Sequence, residues 1–255
     1  MSGFFFIVLT LILAPAQVIL MLVYQRDRTP TAVSKVIRYF SLGVASLFIT
    51  LAITLLQREY LPWLRFGGIA GDVVKAFLLV GFVEELSKYF FVRWVAFYDR
   101  EVKEPYDLIV YSLAVSMGFA TLENMYYVFN TSMKVNLALT RMLTAIPAHA
   151  TFAILMGYFM GVSRFALKDR RLLAISGLLA ATIFHGIYDS FIFIGWKPGI
   201  WGGAFGSLLL GIYLSVKAMN LHSARRPFEY HQFLALLRNQ VFRRFRKHPH
   251  HHRKS

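Results

Sequence analysis

Residues Gly71 to Tyr98, GDVVKAFLLVGFVEELSKYFFVRWVAFY, are long and apolar enough to cross a bilayer as one helix, yet Glu84, Glu85 and Lys88 stand near their middle. An ionised side chain at membrane depth is expensive and by default belongs to a site. Glu84 and Lys88 are four residues apart, so they share a helical face and can pair. Glu85 points about 100° away and must find its partner on another helix. No isolated span satisfies this segment, so the chain must fold into a bundle that brings polar groups to it.

The remaining sequence supplies the helices. Hydrophobic residues make up 57% of the 255 and charged ones only 16%, well below the roughly 25% of a soluble domain. The expectation is an all-α polytopic bundle of about seven spans, near 3–24, 39–56, 72–98, 107–129, 142–164, 172–194 and 200–219. The first does not read as a signal peptide. Ala14-Pro15-Ala16 mimics a cleavage site, but no basic n-region precedes it and the apolar run continues to Tyr24, so Pro15 is expected to kink a helix. With no cysteine, disulfides and thiolate metal sites are excluded.

Charge gives the expected topology. Alternate connections hold Arg26, Arg28, Lys35 and Arg38; Arg100 and Lys103; and Arg164, Lys168, Arg170 and Arg171. The chain from Lys217 onward brings this set to twenty, against five on the opposite side, namely Arg58, Arg65, Lys134, Arg141 and Lys197. By the positive-inside rule the N-terminus lies outside and the C-terminus in the cytoplasm, in a plasma (inner) membrane. Residues 1–221 form the membrane core and 222–255 a basic tail. In the tail, Tyr230, Phe233, Leu234, Leu237, Val241 and Phe245 fall on one helical stripe, with Arg238, Arg244 and Lys247 off it. That pattern suits an amphipathic helix on anionic lipid rather than a nucleic-acid arm. The closing HPHHHRKS is a compositional metal signal only.

Further polar groups lie inside the spans. Gly118-Phe119-Ala120-Thr121-Leu122-Glu123-Asn124 puts a third glutamate in the fourth span, with Phe119 one turn away to shield it. His149 lies in the fifth span, and His185 and Asp189 share a face of the sixth. Counted from the outer span ends at about 1.5 Å per residue, Glu84 lies roughly 16–18 Å deep, Glu123 roughly 9 Å, His149 roughly 10 Å, His185 roughly 13 Å and Asp189 roughly 7 Å. All fall around or outward of the midplane of a core about 30 Å thick. This matched depth predicts one polar cavity open to the outer side. Singly, each group has a structural explanation: Glu84 with Lys88 as an ion pair, His185 with Asp189 as helix packing, His149 as a donor to a carbonyl. Their convergence favours function. Asp72 and Lys75 read as a solvated boundary pair at the mouth.

A carboxylate beside imidazoles in a wet pocket can activate water for attack on a carbonyl, with a neighbouring His or Asp stabilising the developing charge. Alternatively, His149, His185 and Glu123 can hold Zn²⁺, which lowers the pKa of its bound water and leaves a glutamate as base. No serine arrangement for nucleophilic attack is apparent, and a cysteine nucleophile is impossible here.

EELSK (Glu84 to Lys88), FATLE (Phe119 to Glu123) and HGIYD (His185 to Asp189) resemble the EExxK, FxxxE and HxxxD signatures of the PrsW intramembrane proteases. GFATLEN and His149 are also similar to that family, and the resemblance covers about residues 71 to 195. It implies that Glu84 and Glu85 are the catalytic pair, completed by Glu123, His185 and Asp189. It further implies the first, outer-side cut in membrane-bound anti-sigma factors, and hence a single-pass membrane protein as substrate and a role in signalling. The family is termed metalloprotease, whereas its type 2 CAAX prenyl protease relatives, with His where this chain has Glu123, suggest glutamate-activated water without metal. Two other functions fit the same polar cluster: a proton-coupled transporter or channel, and a non-catalytic scaffold like the related gamma-secretase subunit. No inverted repeat supports the first, and the intact glutamates speak against the second.

Overall fold

The structure, a computed structural model, describes residues 2–132, 134–195 and 198–223. Among these, the chain runs through α1 (Ser2–Tyr24), α2 (Val33–Tyr60), α3 (Gly68–Val74) and α4 (Phe82–Trp94). It continues through α5 (Pro105–Phe129), α6 (Lys134–Leu143), α7 (Ala145–Phe165), α8 (Arg170–Ile194) and α9 (Pro198–Ser223). The described residues contain no strand.

Helix α5 is the axis of the bundle. Its start is fixed by Pro105 at the first turn and by a capping box, in which Asp107 Oδ2 accepts the backbone N–H groups of Lys103 at 2.7 Å and Glu104 at 2.9 Å. Its side chains are apolar on every face and buried almost without interruption from Pro105 to Thr121, as expected of a central helix. Helices α2 and α7 pack along it. A Cβ on Gly43 would collide with the Val115 carbonyl, and one on Gly118 with the Phe40 carbonyl, so the α2 and α5 backbones touch at both levels. Small residues are what permit such an approach between membrane helices. Beside this seam Tyr39 stacks on Tyr111 with ring centroids 4.3 Å apart.

The α4–α5 connection is tied to α2. Asp99 accepts hydrogen bonds from Lys35 Nζ at 2.8 Å and Tyr39 Oη at 2.5 Å. Burial opposes ionisation of Asp99, but these two donors outweigh it and hold the carboxyl down at about 2.

Among the described residues, six helical stretches are long and apolar enough to cross a membrane: Phe5–Tyr24, Val33–Tyr60, Pro105–Phe129, Lys134–Phe165 (α6 followed by α7), Arg170–Ile194 and Gly202–His222. Large apolar side chains such as Phe48, Leu55, Leu172 and Leu209 are exposed on their outer faces, where lipid would cover them. The protein is an integral, multi-pass membrane protein. The seventh expected span, 72–98, is different in kind. The backbone is helical from 68 to 94, but Lys75–Gly81 between α3 and α4 is π-helical, with the Phe82 N–H bonded to the Phe77 carbonyl. The helix then stops at Trp94, and Ala96–Tyr98 is a 3₁₀ turn rather than helix.

Helix α1 contains Pro15 within its length. One further feature differs from the sequence reading: helix α6, ten residues long, occupies a stretch expected to be mostly a connection. It is separated from α7 by Thr144, whose backbone is non-helical at φ −123° and ψ −63°. The expected tail helix lies within 224–255, outside the described residues.

Candidate active site

Five elements converge on one polar cluster. The π-helical segment matters first, because it sets the rotation at which α4 begins. It packs on α8, where a Cβ on Gly81 would lie 3.5 Å from the His185 Cβ. From the following turn, Glu84 and Glu85 enter the bundle, and both are buried. Lys88 completes the turn, with its ammonium 2.8 Å from Glu85 Oε1 and 3.5 Å from Glu84 Oε2. The sequence paired Lys88 with Glu84; Glu85 is in fact the nearer partner. Phe119 on α5 closes over the Lys88 ammonium at 4.0 Å from its ring centroid. It thus faces Lys88 and His149.

The partner that Glu85 requires is on α8. His185 Nδ1 lies 2.9 Å from Glu85 Oε1, the oxygen that also accepts from Lys88. The other ring nitrogen, Nε2, lies 3.4 Å from Asp189 Oδ2 and 3.9 Å from Glu84 Oε2. Phe152 of α7 stacks on the His185 ring at 4.8 Å and limits its rotation.

His149 of α7 links this group to Glu123 of α5. Its Nδ1 is 3.2 Å from Lys88 Nζ and its Nε2 is 3.0 Å from Glu123 Oε2. All five candidate catalytic residues and His149 therefore lie in one connected network from α4, α5, α7 and α8. The remaining element is α6, whose Arg141 reaches Glu123 Oε2 at 2.6 Å and Asn124 Oδ1 at 2.5 Å. Arg141 entered the sequence reading only as a loop charge. Its position at the edge of a span was the one available signal, and a weak one.

Access is from a cavity of about 560 Å³ whose lining includes Thr50, Arg65, Asp72, Lys75, Glu84 and Glu123. Glu84 and Glu123 belong to its wall, so the cluster is reached from one end of the bundle. Asp72 and Lys75, expected as a boundary pair, also line it, and the Lys75 ammonium sits 4.3 Å over the Phe193 ring.

The donor set suits a divalent metal. Glu84, His149 and His185 each offer a ligand atom, and these atoms lie within 4.8 Å of one another. Glu84 Oε2 is buried with no hydrogen-bond partner, as is Glu85 Oε2. Two imidazoles and a carboxylate are a catalytic zinc set. This set has Glu84 where the sequence reading placed Glu123, because Arg141 and His149 already share the Glu123 oxygen.

A family model described as "PrsW family intramembrane metalloprotease" matches residues 31–220. The chain is 34% identical over 194 residues to Protease PrsW of Geobacillus kaustophilus, covering 75% of this chain and 82% of that protein. It is 30% identical over 190 residues to Protease PrsW of Halalkalibacterium halodurans, covering 74% and 85%. Against Protease PrsW of Bacillus subtilis the identity is 33% over 180 residues, covering 69% and 78%. No solved structure matches the chain.

Proposed function

Because the chain belongs to the PrsW family of intramembrane metalloproteases, we propose that it cuts membrane-anchored single-pass proteins near the outer side of the membrane, with Glu85 as general base. The observation that carries the assignment of Glu85 is the asymmetry of its carboxylate. Oε1 is committed to Lys88 and His185, while Oε2 is buried and unpartnered, aligned by its neighbours and open to a proton. Water entering from the cavity gives a proton to Glu85 as its oxygen attacks the scissile carbonyl. Without metal, the tetrahedral oxyanion is met by the His185–Asp189 pair, and Glu85 returns the proton to the leaving amine. With metal, Glu84, His149 and His185 would hold Zn²⁺, which would lower the pKa of water and polarise the carbonyl in place of that pair.

The outer-side assignment is supported by the Lys and Arg distribution, since the connections at the cavity end carry few of these residues. An anti-sigma factor with one membrane span is the substrate class that the family resemblance implies. A second reading, water activation without metal, is favoured by Lys88. Its ammonium lies among the same donors, 3.2 Å from His149 Nδ1 and 3.5 Å from Glu84, and already supplies a positive charge there.

The test is cleavage of a single-pass substrate in proteoliposomes by wild type, Glu84→Gln and Glu85→Gln. Each substitution is expected to reduce turnover by roughly 10²–10⁴-fold. Undiminished cleavage by Glu85→Gln would remove its role as base.

A further inference from the structure

Arg141 lies outside every sequence motif, on a helix too short to span, yet its side chain is only 16% exposed. Its guanidinium donates through Nη2 to Glu123 Oε2 at 2.6 Å and through Nε to Asn124 Oδ1 at 2.5 Å, and lies 4.4 Å over the Tyr127 ring. Two neighbouring acceptors and an aromatic face hold a rigid planar fork in one orientation. That orientation is handed on, because the same Glu123 oxygen is 3.0 Å from His149 Nε2.

The hydrogen-bond partners decide where the His149 proton sits. A carboxylate facing a guanidinium offers only lone pairs, so His149 Nε2 must donate to it. On the other side, the Lys88 ammonium has only protons to offer, so His149 Nδ1 must accept at 3.2 Å. Both contacts require the same tautomer. The proton is on Nε2 and the lone pair is on Nδ1, facing the side of the ring where Lys88, Glu84 and Glu85 meet.

We propose that Arg141 is a positioning residue for hydrolysis: it fixes the Glu123 carboxylate, and through it holds His149 in the Nε2-protonated tautomer. This rests on the protease reading above for its effect on turnover, but not for the tautomer itself. Glu123 thereby becomes the group that orients an imidazole rather than one that takes a proton from water. Loss of a carboxylate that orients a site histidine in this way typically costs roughly 10–100-fold in metal affinity or activity. Helix α6 is the arm that delivers the guanidinium.

The experiment combines a spectrum with kinetics on the full-length protein. In ¹⁵N-histidine-labelled protein in lipid, the His149 ring signals are identified by their loss in His149→Gln. Wild type is expected to show a protonated Nε2 and an unprotonated Nδ1, bare or metal-bound, and Arg141→Ala to lose that single pattern. A proton on Nδ1 in wild type, or an unchanged His149 pattern in Arg141→Ala, overturns the proposal. In cleavage assays Arg141→Ala is expected to lower kcat by roughly 10–100-fold, with KM within about twofold. Added guanidinium ion should restore part of the loss. A loss that tracks reduced thermal stability and is not rescued marks Arg141 as a fold contact and overturns its positioning role. If wild type shows the expected tautomer but cleaves nothing, the protease reading fails while the Arg141–Glu123–His149 relay stands.

Discussion

Lys88 Nζ meets Glu85 Oε1 at 2.8 Å, with the two side chains 2% and 1% exposed. Neither charge has water to fall back on, so the pair is worth little as a unit and its halves are expensive alone. Lys88→Met is therefore expected to destabilise the protein by roughly 3–5 kcal/mol. The double variant Glu85→Gln/Lys88→Met should regain most of that stability and remain inactive. Thermal melting and cleavage measured on wild type, Glu85→Gln, Lys88→Met and the double variant check both. Recovery of activity in the double variant would contradict the role given to Glu85.

The α2–α5 seam predicts a second effect, unconnected to charge. A Cβ at Gly118 would meet the Phe40 carbonyl, a backbone atom that cannot rotate away. Gly118→Ala is expected to destabilise by roughly 1–3 kcal/mol through forced separation of the helices. Gly206→Ala is the control, since a Cβ there meets nothing within 4 Å. Equal melting temperatures for the two variants would show that the backbones do not touch.

Asp27, in the loop between α1 and α2, gives a pH dependence. Burial pushes its carboxyl up from 3.8 to about 7, with Glu104 and Asp107 adding to the effect against one opposing N–H from Thr29. Between those values the folded state holds a proton that the unfolded state has released, so stability falls as pH rises and levels off above about 7. Asp27→Asn keeps an oxygen for the Thr29 N–H and has no charge to bury. Its melting temperature should gain on wild type from pH 5 to about pH 7 and hold that lead at pH 8. A gap independent of pH would rule out a proton held by Asp27.

Zinc content separates the two readings of the chemistry. If Glu84, His149 and His185 hold the metal, purified wild type carries stoichiometric Zn²⁺. A chelator should abolish cleavage, added Zn²⁺ should restore it, and His185→Ala should lose zinc and activity together. Fully active protein from which zinc has been removed would select water activation without metal.

The amino-acid pattern reveals the helical class and the residues that meet, because both follow from one physical demand. Charges in an apolar span need partners, and Glu85 could find His185 only on another helix. What stayed illegible was the pairing within the cluster. Glu84 and Glu85 stand four and three residues before Lys88 on one α-helix, where both spacings make neighbours, so spacing alone does not rank them. The contact between Arg141 and Glu123 was likewise hidden, because Arg141 reads as a loop charge. The break at Thr144, which turns that loop into a separate helix and aims Arg141 inward, leaves no mark in hydrophobic periodicity.

The π-helical turn at Lys75–Gly81 carries a last consequence. It accommodates one residue more than an α-helical path would, and each residue is about 100° of azimuth. Were a single residue excised from that turn, every signature letter downstream would survive in order and spacing. The glutamates would nevertheless swing toward lipid or a neighbouring backbone, away from His185. For chains of this kind, the phase of the helix before the motif is as much a part of the enzyme as the motif, and a reader of signatures alone would mistake such a deletion for an intact protein.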